Sequence, residues 1–138
     1  MPAPARTSTS RPADEKLTVN LGVVDLGQID LLVQEGFYSN RSDLIRTAIR
    51  RELARHADTV REAVERRTLV LGIREFTARD LEAARAAGER LVIRVLGLAS
   101  FAADVTPELA RETIESITVL GALHASPALK KALAERLH

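Results

Sequence analysis

The run Lys16-Leu17-Thr18-Val19-Asn20-Leu21 alternates strictly between polar and apolar residues. In an extended chain Leu17, Val19 and Leu21 fall on one side and Lys16, Thr18 and Asn20 on the other. This short strand constrains the fold more than any other stretch, because the residues after it read as helix and offer it no neighbour. A lone strand leaves its backbone groups unpaired and its apolar face uncovered. The simplest partner is the same strand of a second chain, antiparallel about a two-fold axis. The expected state is therefore a homodimer.

Two helices should come next. Asp25 and Gln28 fit a capping box, and Leu26, Ile29, Leu32 and Val33 form one face. Gly36 should stop this helix, since glycine takes a left-handed conformation without strain. Asn40 is the expected N-cap of the second helix, with Asp43 at its third position. Leu44, Ile45, Ala48, Ile49 and Leu53 form the stripe to be buried. No Gly or Pro interrupts residues 38–70, and Ala57, Val60 and Val64 continue the stripe. The second helix is thus predicted to run unbroken from Arg41 to about Arg66, ~39 Å at 1.5 Å per residue. Its interleaved arginines and acids read as a solvated face with pairs such as Glu62–Arg66.

KLTVNL, the turn Gly36-Phe37-Tyr38-Ser39-Asn40-Arg41-Ser42 and the adjoining Asp43-Leu44-Ile45-Arg46-Thr47-Ala48 together resemble the ribbon-helix-helix (CopG-like) family of DNA-binding proteins, over residues 15–55 or so. The resemblance implies an intertwined dimer whose paired strands lie in the DNA major groove. It puts Lys16, Thr18 and Asn20 at the positions that contact bases. Their chemistry suits that role: Lys donates to guanine acceptors, Asn pairs bidentately with adenine, and Thr hydrogen-bonds or meets a thymine methyl. It puts Ser39, Asn40, Arg41 and Ser42 on the phosphates, where a helix start offers free N–H groups and the positive end of its dipole. Taken alone, the three polar residues are as well explained as the wet face of an ordinary sheet. Two capped helices in register favour the DNA reading. Arg46 is read as a helix-face residue.

Net charge does not help. At +1 the chain lacks the basic footprint of a nucleic-acid binder, so the expectation is a local patch at the strand and the Arg41 helix start, duplicated by the dimer axis. Apolar residues make up 46% but aromatics only 3%, so the core must be built from Leu, Val, Ile and Ala. There is no cysteine, which removes disulfide and thiol chemistry and fits a cytoplasmic protein. No apolar run reaches membrane-spanning length and no signal peptide is visible. Residues 1–13, rich in Pro, Ala, Ser and Thr, read as a disordered tail in which Arg6 and Arg11 are solvated.

The second half holds a repeat. Val70-Leu71-Gly72-Ile73, Val95-Leu96-Gly97-Leu98 and Val119-Leu120-Gly121-Ala122 recur at spacings of 25 and 24. Phe76 and Phe101 lie four residues after their glycines; the third copy has Ala125. Each run precedes a helix-start signal: Thr77 with Asp80, Thr106-Pro107 and Ser126-Pro127. Gly88 should end the first of these helices. Strand–helix three times implies right-handed crossovers and a parallel sheet. The period resembles that of leucine-rich repeats in length alone, because their fixed Asn is missing. The expected fold is α+β: a ribbon-helix-helix domain over residues 14–66, then a three-unit β-α repeat over 67–138, either a short α/β solenoid or a small parallel sheet. The glycines should mark a bend or a close backbone approach. Two open sheet edges would invite pairing with another subunit, so this half is read as an oligomerisation domain.

Other chemistry has little support. His56, His124 and His138 are scattered and have no cysteine to complete a metal site. No nucleophile–base pair or phosphate-cradling loop is present, and acids such as Glu75, Asp80, Asp104, Glu108 and Glu112 fit helix starts. No enzyme activity, metal or cofactor is expected. The leading expectation is a homodimeric, sequence-specific repressor or autoregulator that binds double-stranded DNA and forms higher oligomers through residues 67–138. The alternatives are an antitoxin that sequesters a toxin, a DNA-organising or partition protein that forms arrays, and an assembly module without DNA binding.

Overall fold

The computed structural model describes residues 14–138. The tail expected over residues 1–13, with Arg6 and Arg11, lies outside them. The chain divides into two compact units, Lys16–Ala63 and a second built from Val64–His138 with the residues just before Lys16.

In the first unit, residues 16–21 belong to no strand of the single chain, and Leu17, Val19 and Leu21 are all exposed. Helix α1 spans Val23–Gln34. It starts three residues earlier than Asp25 as N-cap requires: Gly22 is the extended cap residue, and no side chain caps it. Leu26 N–H already reaches the Gly22 carbonyl at 3.0 Å, which draws Asp25 inside the first turn. There its charge still suits the helix dipole, so an acid near a helix start did not identify the cap. The stop is as expected. Gly36 has φ +86°, Gly36 N–H donates to Val33 and Phe37 N–H to Leu32, a Schellman motif.

Helix α2 spans Arg41–Arg55 and α3 spans Ala57–Arg66. The unbroken helix expected over 41–66 is therefore two. At His56 (φ −106°, ψ 14°) the backbone leaves helical geometry, and its N–H turns to the Leu53 carbonyl. Neither Gly nor Pro causes the break. Ion pairs dress this surface at i,i+3, Glu52–Arg55 and Asp58–Arg61. None of the three helices has a fully buried residue.

The second unit has its own core. Strands β1 (Val70–Phe76), β2 (Leu91–Phe101) and β3 (Ile114–His124) form a parallel sheet in that order. Helices α4 (Ala78–Ala86), α5 (Pro107–Thr113) and α6 (Pro127–Ala132) come after them in turn. The start signals work as expected. Thr77 and Asp80 form a reciprocal capping box, Thr106 accepts from Leu109 N–H, and Ser126 accepts from Leu129 N–H. Gly88, at φ +71°, ends α4 in a second Schellman motif.

The helices cover one face of the sheet. Phe76, Ile93, Val95, Ala99, Phe101 and Ile117 meet Leu81, Leu109, Leu129 and Leu133 there. Phe76 and Phe101 stack at 5.2 Å between ring centroids, which explains their matching place after the glycines. Each of the fully buried leucines and isoleucines contributes ~1.5–3 kcal/mol. The one buried polar residue among those described, Thr113, donates its hydroxyl to the Leu109 carbonyl at 2.8 Å.

The repeat glycines are in register, Gly72 beside Gly97 beside Gly121, all with φ between +124° and +138°. A Cβ on Gly97 would lie 2.1 Å from the Gly72 carbonyl oxygen, and one on Gly121 2.1 Å from that of Gly97. The close approach anticipated from the spacing is thus what the strands make. No further strand flanks either sheet edge among the described residues, though the C-terminal segment meets β3 at Ile117. Beside β3, Leu137 bridges to Ile117 and His138 N–H donates to the Ile117 carbonyl at 2.8 Å. Arg136 holds this segment by donating to the carbonyls of Arg111 and Ile114. Beside β1 there is no strand among the described residues.

Candidate nucleic-acid interface

The start of α2 brings Ser39, Asn40, Arg41 and Ser42 together on one exposed turn. Asn40 Oδ1 accepts the Asp43 N–H at 2.8 Å, as its cap role requires. Asp43 answers with Oδ2, which takes the Ser39 N–H at 2.9 Å. The box is thus closed one residue before the cap. The Arg41 and Ser42 N–H groups have no hydrogen-bond partner among the described residues, so two donors still point outward at the positive end of the helix.

Arg41 itself is engaged. Its guanidinium forks onto Asp30 of α1, with Nε donating to Oδ1 at 2.7 Å and Nη2 to Oδ2 at 2.8 Å. Hydrogen bonding to Arg41, helped by its charge, holds the Asp30 carboxyl below the usual carboxylate range; the same contacts raise Arg41. The fork clamps α1 to α2 across the Gly36 turn. It also neutralises the cation expected to meet phosphate. Sequence reasoning missed Asp30, and no local rule points to it, because the residues are eleven apart and the intervening turn sets their approach.

Lys16, Thr18 and Asn20 lie in the exposed extended segment before α1. Leu17, Val19 and Leu21 between them are 79%, 65% and 46% exposed. On α2, Ile45, Ile49 and Leu53 are exposed as well, while Leu44 is half-buried. The unit therefore presents exposed polar and apolar side chains on this segment and an uncovered stripe on α2. The model of the ribbon-helix-helix transcriptional regulator family matches residues 12–130.

The chain belongs to that family. The match takes in both units, so the β-α repeat is part of what this ribbon-helix-helix protein shares with the family. Membership gives the chain a DNA-binding, transcription-regulating role. No curated protein and no solved structure matches it. No helix among the described residues is long and apolar enough to cross a membrane. His56 of this ribbon-helix-helix chain pairs with Glu52, and His124 pairs with Glu15 at 2.6 Å.

Proposed function

We propose that the chain is a sequence-specific repressor or autoregulator that acts as an intertwined homodimer. The observation that carries this is the absence of any fully buried residue in the helices of the unit Lys16–Ala63. A chain segment that fully buries no side chain offsets little of the entropy of its own ordering. A second copy supplies what is missing: strand 16–21 pairs with its twin, and Leu17, Val19 and Leu21 gain a floor with Ile45, Ile49 and Leu53. The paired strands then present Lys16, Thr18 and Asn20 twice to the major groove. The α2 start, through Ser39, Asn40, Ser42 and Arg41, holds the phosphates on either side. In this reading residues 14–66 are the DNA-binding domain and 67–138 the self-association domain, which makes operator binding cooperative.

The test is gel-shift binding of the full chain to its own upstream DNA, with scrambled competitor, across a salt series. Specific shifts whose affinity falls steeply with salt, as several phosphate contacts require, are expected. A ladder of shifts would report cooperative assembly. No shift at low salt by a folded dimer would leave the assembly module, a reading that the Asp30–Arg41 pair and the +1 net charge favour.

A further inference from the structure

We infer that the bare face of the β-α sheet is a self-association surface, packed against the same face of another copy of this chain about a two-fold axis along the glycine row. The inference rests on the proposed self-association of residues 67–138 and names its face, register and symmetry.

Parallel sheets are normally covered on both faces. Here α4, α5 and α6 cover one face, where the core lies. Alternation and register put three rows of residues on the other. Leu71, Leu96 and Leu120 form one row, Ile73, Leu98 and Ala122 the next, and Glu75, Ser100 and His124 the third. Leu71, Ile73 and Leu120 are 69%, 62% and 42% exposed. Leu98 is buried, yet it stands apart from the core beneath the helices, as a residue of this face must. Between the two apolar rows Gly72, Gly97 and Gly121 carry no side chain, and the result is a shallow trough of about 450 Å³. Its lining is apolar except for Glu15, whose carboxylate meets His124 at 2.6 Å.

The charges choose the occupant. At the other end of the face, ahead of the leucine row, stand Arg94 and Thr118, also in register. One end therefore carries an arginine and the opposite end carries Glu75 and Glu15. Arg94 and Glu75 are exposed and make no ion pair among the described residues. Such a face is complementary to itself turned end for end. A two-fold axis along the glycine row sets Leu71 over Ile73, Leu96 over Leu98 and Leu120 over Ala122 of the other copy. It sets Arg94 over Ser100, within reach of Glu75 on the adjacent strand. A two-fold along β2 would stack Arg94 on Arg94, which disfavours it. A small ligand fits the trough poorly, because ligand sites enclose most of their occupant and the walls of this one are themselves exposed. Strand spacing and rise give the face a footprint of roughly 300 Å² per copy. That is below the ~800 Å² per partner of a stable stand-alone interface. Copies already joined through residues 16–21 supply the second face at a high effective concentration.

The chain has no cysteine, so Leu120→Cys introduces a single thiol on this face. Packed sheets lie ~10 Å apart, a gap that a short bis-maleimide spans. In the full-length chain it should join two Leu120→Cys copies roughly tenfold faster than two copies of Lys131→Cys, an exposed control on α6 at the helix side of the sheet. Adding Arg94→Glu should slow the reaction several-fold, and adding Glu75→Arg to that variant should restore it. Equal rates at the two thiol positions, or a rate indifferent to Arg94→Glu, would overturn the pairing. Binding of an apolar dye in the trough without any crosslink would give the face to a small ligand instead. Sedimentation and the gel shift keep the readings apart. Assembly beyond a dimer without the crosslink removes this face and leaves self-association standing. A crosslink without any DNA shift removes the DNA reading alone.

Discussion

On the proposed reading, Asp30 sets how much of Arg41 is available to DNA. The fork at 2.7 and 2.8 Å uses two of the guanidinium's donors and cancels its charge. Asp30→Asn should release Arg41, strengthen binding to non-specific DNA several-fold and steepen the salt slope by about one phosphate contact. Filter binding on scrambled duplex across salt measures both. The pair also carries a pH signature. Folding lowers the Asp30 pKa, so the pair contributes its stability above the carboxyl's unfolded value and loses it as pH falls through the lower folded value. Asp30→Asn should therefore flatten the acid limb of the unfolding curve, read by circular dichroism. On the proposed reading Asn20 has the opposite role, sorting sequences. Asn20→Ala should cost ~1–3 kcal/mol of discrimination at one base position and change non-specific binding little. Equal loss on operator and scrambled DNA would remove Asn20 from the base readers. Asp30 was not legible in the sequence, because its partner is set by a turn between two helices.

The elements were legible where their signals are local. Asn40, Thr77, Thr106 and Ser126 all cap as their spacing to the next N–H requires, and Gly36 and Gly88 both close Schellman motifs. Two boundaries were not. Helix α1 takes in Val23 and Val24, because Asp25 serves the dipole from inside the first turn as well as from the cap. The break at His56 has no residue signature, since helix propensity is weak beside tertiary context. The glycine row separates two effects that sequence alone merges. Gly72→Ala suffers only the strain of a left-handed backbone, about 1–3 kcal/mol. Gly97→Ala and Gly121→Ala suffer that strain and also a clash with a neighbouring carbonyl, so they should lower the urea midpoint distinctly more than Gly72→Ala. Equal losses at all three would mean that the close approach relaxes freely.

At the scale of the whole molecule, stability is unevenly distributed. The β-α unit buries Leu81, Ile114, Ile117, Leu129 and Leu133 almost completely, while the unit Lys16–Ala63 has no such residue in its helices. The first has a core of its own and should stay folded as a monomer, whereas the second should melt only as a dimer, with a midpoint that rises with protein concentration. Ile49→Glu should abolish that second transition and DNA binding together while the β-α transition stays in place. Differential scanning calorimetry over a hundredfold concentration range checks this, and a concentration-independent transition of the unit Lys16–Ala63 would sink the intertwined dimer. By itself the sequence determined what repeats and most of what caps: the helix starts at Asn40, Thr77, Thr106 and Ser126, the glycine stops, three β-α units in register and the family. These are period and short-range hydrogen-bond facts, fixed within a few residues. Only the tertiary structure decided which carboxylate holds Arg41, where the helix breaks and where the C-terminal segment meets the sheet. Each of those depends on two segments meeting across a turn or a sheet, and the packing of the chain sets that meeting.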